Sequence, residues 1–450
     1  MSQLIVFRAL QGVGGSGLYS LSQISLAEIA PHGKNALIGM LIGITLATSF
    51  VLGPLLGGAI SGSNWRWIFY MNIPSGFVCM FGLVILWPRD FGGPIHPWRE
   101  FWRIDFIGNI FILAACVLMV YSLQQAGTTI FAWTSVEFIA TFVVSVVCWA
   151  LFWAWQLVLK HLPIQIEPVF PVRLVYNRVY MSAVVAMFLS GYCYLAIVIT
   201  LPERFQIVND DSALMAGVHL IPMLGATSLG SIIAGALSKR KNNTSRTLVA
   251  AACLQVVGLG LLTTFDAPSS PTNPQFGYQA IFGLGVGLTF SSATILTKIQ
   301  ASGRDHAVAQ GVMAQVRVLG GALGLVVCNV IFNIHLESLE AKLSAAENDA
   351  LHRSPMALMD MGEKVEPGIT RDVKEVFSTS FQSMVWVMFW VAVAEVVASL
   401  CTWEMNPTSL DEIDAAALAR AHAGHKQDGI RGGSDTELEN LSSSLNTRTA

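Results

Sequence analysis

Two kinds of residue in this 450-residue chain could do chemistry. The first is a run of glycines. Gly12-Val13-Gly14-Gly15-Ser16-Gly17 spells G-x-G-x-x-G, the spacing that wraps a dinucleotide pyrophosphate. That use needs a strand before the loop, a helix after it and a carboxylate about twenty residues on for the ribose. Here the glycines lie inside one apolar run, and after Glu28 the next acidic residue is Asp90, so no ribose ligand is at hand. The second kind is ionisable residues in apolar surroundings: Arg8, Arg317 and Glu395. A charge inside a membrane span is costly unless it faces a cavity or a partner. Glu395, within Val391–Leu400, can exchange protons, pair with a cationic substrate or reach the inner interface. Arg317 either faces a cavity or holds a loop carbonyl. Arg8 snorkels to the outer interface or, placed deeper, needs a carboxylate.

The elements that must position these residues are set by composition. The chain is 53% hydrophobic and 12% charged, where soluble domains carry about 25% charged residues. Its mean hydropathy is +0.58. Most of its solvent is therefore lipid. A net charge of -3 argues against nucleic acid as a partner. No Walker loop, G-x-S-x-G, H-E-x-x-H or C-x-x-C is present, so neither an enzyme nor a self-contained ATP-driven pump is expected, and no cofactor or metal. The seven cysteines all fall in apolar runs and are expected to be small buried hydrophobes.

Runs of about 20 apolar residues cross a bilayer. Eleven are expected, at 3–27, 35–60, 67–87, 105–126, 134–156, 180–202, 213–238, 247–265, 277–297, 308–334 and 381–403. A surface helix is expected around Leu336–Leu351, within a charged segment from His335 to Ser380. The polar tail beyond Trp403 is expected to be disordered apart from a short helix near Asp414–Ala423. Lysine and arginine concentrate in alternate loops, at Lys34, Arg89, Arg99, Arg103, Lys160, Arg173, Arg178, Lys239–Lys241, Arg246, Lys298 and Arg304. The opposite short loops hold Arg66 and Arg204 and little else. The first set is thus cytosolic, and so is the tail. All three sequons, at Asn242, Asn243 and Asn440, then face the cytosol and carry no glycan.

Within such helices glycine has a different use. Lipid gives helices no hydrophobic reason to associate, so they gain by backbone contact at small residues. Gly12, Ser16 and Ser20 stack at i, i+4, as do Thr45, Ser49, Gly53, Gly57 and Ser61, with Pro54 bending the second helix. Gly320 and Gly324 form another such pair. His219 is expected to be a hydrogen-bonded structural residue, Asp105 and Glu137 to be interfacial caps, and Gln11, Asn72, Gln255, Asn329 and Asn333 to bond between helices. Trp149, Trp153, Trp155, Trp386 and Trp390 are expected to anchor at the lipid interface.

Five motifs in order resemble the major facilitator superfamily, in its fourteen-span drug:proton antiporter branch of fungal efflux-pump type. They are Arg8–Gly14, Gly53-Pro54-Leu55-Leu56-Gly57-Gly58, Asn64–Pro74, Pro202–Pro222 and Arg317–Gly324. The resemblance runs from about Phe7 to Trp403 and implies an all-α polytopic bundle. It implies that residues 1–87 correspond to family helices four to six of the N-terminal bundle, 88–160 to two linker helices, 161–403 to the six-helix C-terminal bundle and 404–450 to a cytosolic tail. Three family helices and their acidic residue then have no counterpart in this chain, which agrees with the loop-charge bias. The implied activity is proton-coupled efflux of amphipathic small molecules such as secondary metabolites, toxins or drugs. The alternatives are a non-transporting fragment or isoform of such a pump, and an importer or vacuolar carrier. Arg8 and Gln11 would line the N-bundle cavity. Gly12, Gly53, Pro54, Gly57 and Gly58 would pack tightly against proton leak. Arg317 would face the cavity from the C-bundle, with Glu395 a further coupling candidate, although the family's last helix is usually peripheral. The partners implied are a small-molecule substrate, protons and the bilayer. A monomer in the plasma membrane is expected, with the vacuolar membrane as the other location.

Overall fold

The computed structural model describes residues 2–29, 35–61, 66–86, 101–126, 133–162, 166–238, 242–264, 274–301, 305–340, 367–404 and 407. Among them the secondary structure is helical, with one isolated parallel bridge between Ile104 and Glu167. The helices are α1 (Ser2–Ile29), α2 (Asn35–Ser61), α3 (Trp67–Tyr70), α4 (Asn72–Leu86), α5 (Phe106–Gln125), α6 (Val136–His161), α7 (Val172–Val175) and α8 (Arg178–Val208). There follow α9 (Ala213–His219), α10 (Ile221–Leu237), α11 (Thr244–Leu262), α12 (Pro274–Gln300), α13 (His306–Glu340) and α14 (Pro367–Leu400). Nine spans among the described residues are long and apolar enough to cross a membrane, and they match the last nine of the expected eleven in order. The first two expected segments are α1 and α2, of 28 and 27 residues.

Several helix starts are fixed by side chains that accept from otherwise orphaned N–H groups. Asp105 caps α5, Ser135 caps α6, Asn177 caps α8 and Ser212 caps α9. The expected single segment 213–238 is broken at Leu220, because Pro222 sits in the first turn of α10, where it starts a helix and cannot continue one.

Backbone contact at glycine builds the second half. α8 packs on α13 and α14, and α12 packs on both α10 and α11. A Cβ on Gly320 would fall on the Phe188 carbonyl oxygen, and one on Gly324 on that of Tyr192. Gly287 meets the Thr227 carbonyl and Gly283 that of Met223 in the same way. Close approach replaces the missing hydrophobic drive, and the core of Phe205, Phe282, Phe381 and Leu201 fills the remaining space.

Four expectations are corrected. α13 continues to Glu340 and α14 starts at Pro367, fourteen residues ahead of the apolar run, because polar early turns can be helical although hydropathy does not register them. The rest of the expected Leu336–Leu351 helix and the Asp414–Ala423 helix lie outside the described residues. Arg204 is not a loop residue. It lies in α8, 5% exposed, with its guanidinium 5.2 Å from the Phe381 ring centroid. Cys79, Cys253 and Cys401 are exposed, so apolar runs there meet the surrounding lipid and not the protein core.

Candidate functional site

The three ionisable residues singled out by sequence have different surroundings. Glu395 is fully buried, at 0% exposure, and does not reach an interface. It sits where four helices meet. Gln255 of α11 donates from Nε2 to Glu395 Oε1 at 2.8 Å and to Thr289 Oγ1 at 3.0 Å. Thr289 of α12 donates to the same carboxyl oxygen at 3.3 Å. Ser190 of α8 donates to Gln255 Oε1 at 3.1 Å. Gln255, Thr289 and Ser190 are each 0% exposed. Glu395 Oε2 meets no hydrogen-bond donor among the described residues. A carboxyl group in such a place can hold or release a proton without moving a helix, and each change alters the hydrogen bonds that tie α14 to α8, α11 and α12.

Arg317 lies about 17 Å along α13 from its start, at 1.5 Å per residue, which is mid-span. Gly191 leaves room for its carbonyl, which holds this turn against α8. Its guanidinium is 4.4 Å from the ring centroid of Phe290 in α12 and 5.0 Å from that of Tyr19 in α1. Phe290 is held edge-on by Tyr194 at 5.4 Å. A small cavity beside Arg317 is lined by Tyr19, Met187, Thr294, Gln310 and Met313. A cation at mid-membrane costs at least ~2.5 kcal/mol. Each ring returns about 0.5–2 kcal/mol. The rings therefore offset much of the cost, and among the described residues no acceptor takes the guanidinium N–H groups.

Arg8 and Gln11 are exposed and bond to each other along α1, at 3.3 Å, with the Arg8 guanidinium 4.9 Å from the Phe69 ring centroid. The glycine run carrying them is uninterrupted helix, with no strand ahead of it among the described residues, which removes the dinucleotide loop. The motif glycines divide. A Cβ on Gly58 would strike Leu214 Cα at 2.7 Å, and Gly217 lies against Pro54. Among the described residues, a Cβ on Gly12, Gly53 or Gly57 would meet nothing within 4 Å. Asn64 and Trp65 of the third motif lie outside the described residues.

Sequence reasoning missed the partners. Thr289, Ser190, Tyr19 and Phe290 are ordinary residues of apolar helices and gave no signal. It also placed Asp105 at an interface. Asp105 does cap α5, accepting from Gly108 N at 2.7 Å, but it is 2% exposed and also accepts from Trp155 Nε1 at 2.8 Å and Gln156 Nε2 at 2.9 Å. Burial follows from those two donors on α6, which close over the carboxylate. Trp155 is thus a hydrogen-bond donor to the protein, while Trp386 and Trp390 remain exposed. Of the polar residues in spans, Gln255 bonds between helices, whereas Gln11 and Asn72 bond within their own segment. His219 Nδ1 lies 3.0 Å from an Asp211 carboxyl oxygen, between the rings of Phe205 and Phe276, without forming a hydrogen bond among the described residues.

The chain matches the family model described as Major Facilitator Superfamily over residues 1–135 and 122–325. It is 34% identical to "MFS-type transporter FPY5" of Fusarium mangiferae over 420 residues, covering 90% of this chain and 69% of that protein. It is 29% identical to "MFS-type transporter phomT" of Diaporthe leptostromiformis, covering 85% of this chain and 64% of that protein. It is 30% identical to "MFS efflux transporter aclA" of Aspergillus oryzae, covering 79% and 63%. The chain thus spans roughly two thirds of the length of these fungal relatives. The glycine-built crossings, the order of the motifs and the family match agree that this chain is a multi-pass membrane protein of the major facilitator superfamily.

Proposed function

We propose that the chain acts in proton-coupled efflux of amphipathic small molecules, with Glu395 as a proton carrier. The observation that supports this most is the buried carboxyl group of Glu395, bonded to side chains of α11 and α12 and through Gln255 to α8. An ionisable group inside a membrane bundle is a functional candidate by default. One relative's name, "MFS efflux transporter", supports the direction. In this reading residues 1–87 and 161–403 are the two bundles, 88–160 link them, and a central site alternates between the two membrane faces. Arg8 and Gln11 face that site from the first bundle and Arg317 from the second. Pro54 and Gly58, set against Gly217 and Leu214, help close the first bundle against proton leak, while Gly12, Gly53 and Gly57 keep small faces that no described residue fills. The chain works as a monomer in the plasma membrane.

The test is reconstitution of the full chain in proteoliposomes with rhodamine 6G as cargo. An imposed pH gradient should drive dye movement in the wild type. Glu395→Gln should lose the response to the gradient and keep gradient-free dye exchange. Equal gradient-driven movement in both proteins would refute the assignment of the proton to Glu395. No response to the gradient in the wild type would refute proton coupling.

A further inference from the structure

Arg317 carries an inference about cargo, and it rests on the transport reading just given. Among the described residues no carboxylate and no hydrogen-bond acceptor meets its guanidinium, and its neighbours are the two rings of Tyr19 and Phe290. A guanidinium is planar. It stacks by its faces and hydrogen-bonds by its edge, through five N–H donors in a fixed fork. Here two rings lie against the guanidinium, and no acceptor among the described residues takes its N–H groups. The cavity beside it is walled by Met187 and Met313, whose thioether side chains adapt to irregular apolar shapes, and by Thr294 and Gln310. Gln310 is itself fixed, donating to the Thr294 carbonyl at 2.9 Å.

The two rings differ in how they are held. Phe290 is 3% exposed and stands on α12, within the closely packed second half. Tyr19 is half-buried and stands on α1, whose main contact with the rest of the chain is along α13. Tyr19 can therefore leave Arg317 by a shift of one helix, and Phe290 cannot. When Tyr19 leaves, a ring position opens beside N–H groups that no described acceptor takes. A ligand that restores both must supply a flat ring and, in its plane, an anion.

We propose that Arg317, Tyr19 and Phe290 form a recognition point for planar aromatic acids, with Tyr19 occupying the ring position while no cargo is bound. The cargo's ring stacks on the guanidinium in place of Tyr19. Its carboxylate or phenolate oxygen accepts from the Arg317 edge. Permanently cationic dyes gain nothing from this point and pass by apolar contact alone.

The experiment measures binding of 1-hydroxy-2-naphthoate, by its own fluorescence polarisation, to the full chain in nanodiscs, with empty nanodiscs as background. Binding should be saturable. Arg317→Gln should weaken it at least tenfold, with Arg317→Lys between the two, because lysine keeps the charge and loses the plane. Neutral 2-naphthol, below its ionisation range, should lose much less than naphthoate on Arg317→Gln, because it forfeits only the stacking. Tyr19→Ala should tighten naphthoate binding several-fold, whereas a merely structural Tyr19 would leave it unchanged or weaken it. Size exclusion checks the fold, and if Arg317→Gln elutes as aggregate, Arg317→Lys and Tyr19→Ala decide. Equal affinity in wild type and a well-folded Arg317 variant overturns the proposal. So does weaker or unchanged binding in Tyr19→Ala, or absence of saturable binding in the wild type. Rhodamine 6G movement under a pH gradient with no naphthoate binding sinks this inference alone. Naphthoate binding with no gradient-driven movement of any cargo sinks the transport reading instead.

Discussion

The front helices α1–α4 and the later helices α8–α14 are both apolar and both rich in glycine, yet their glycines stand in different places. In the later helices, Gly191, Gly230, Gly283, Gly287, Gly320 and Gly324 each press on a backbone carbonyl of a neighbouring helix, while a Cβ on Gly225, Gly277 or Gly311 would meet no described residue within 4 Å. In the front helices, a Cβ on Gly12, Gly14, Gly15, Gly17, Gly53, Gly57, Gly76 or Gly82 would meet no described residue within 4 Å, and Gly58 alone among the front glycines described is filled by a neighbour. α4 has no buried residue at all. The comparison separates two properties that a motif joins. Small residues at i, i+4 permit close approach, but only a partner backbone at that face turns permission into packing.

The largest expected effect tests that distinction directly. Gly287→Leu drives a side chain into the Thr227 carbonyl and should cost about 3 kcal/mol or more, seen as loss of the monodisperse peak in detergent. Gly12→Leu should elute like the wild type, and equal damage from both would break the contrast. Next in size is the polar knot. Glu395→Ala should cost about 1–2 kcal/mol in thermal stability, since it strands Gln255 and Thr289. Combining it with Gln255→Leu should cost less than the sum, which a double-mutant cycle measures. Asp105→Ala removes a cap together with two bonds to α6, and should cost about 1–2 kcal/mol. Faster amide exchange in the first turn of α5 is the readout. Arg103→Ala loses a half-exposed ion pair with Glu167 and should shift stability by less than about 1 kcal/mol. At the small end, Gly57→Ala should stabilise α2 by about 0.5–1 kcal/mol, because alanine is the better helix former and no described residue stands in its way. A loss on that substitution would mean that Gly57 has a partner face after all.

Much of the fold was legible because a bilayer imposes a simple rule: each crossing needs one long apolar run. Boundaries failed where helices carry polar turns. Lys374 and Asp372 hid the start of α14, and Arg204 passed for a loop residue because its Phe381 contact lies far along the chain. The candidate site was half legible. Glu395 and Arg317 stood out as charges in apolar surroundings, and Gln255 as a polar residue in a span, but the other partners did not. Thr289 is 106 residues from Glu395, and Ser190 is 65 from Gln255. Nothing in a threonine or serine of an apolar helix marks it as half of such a pair, so only the folded arrangement identifies it.

The backbone bridge between Ile104 and Glu167, with Glu167 N donating to the Arg103 carbonyl at 2.9 Å, ties the chain just before α5 to the chain just after α6. The α5–α6 excursion therefore departs and returns at almost one point. Segments whose ends lie together are the kind that a host accepts or loses without rearranging its other helices. A single pair of crossings with a stapled base keeps the later helices on the same side of the membrane whether or not it is present, so it is a unit that evolution could add to a transporter in one step.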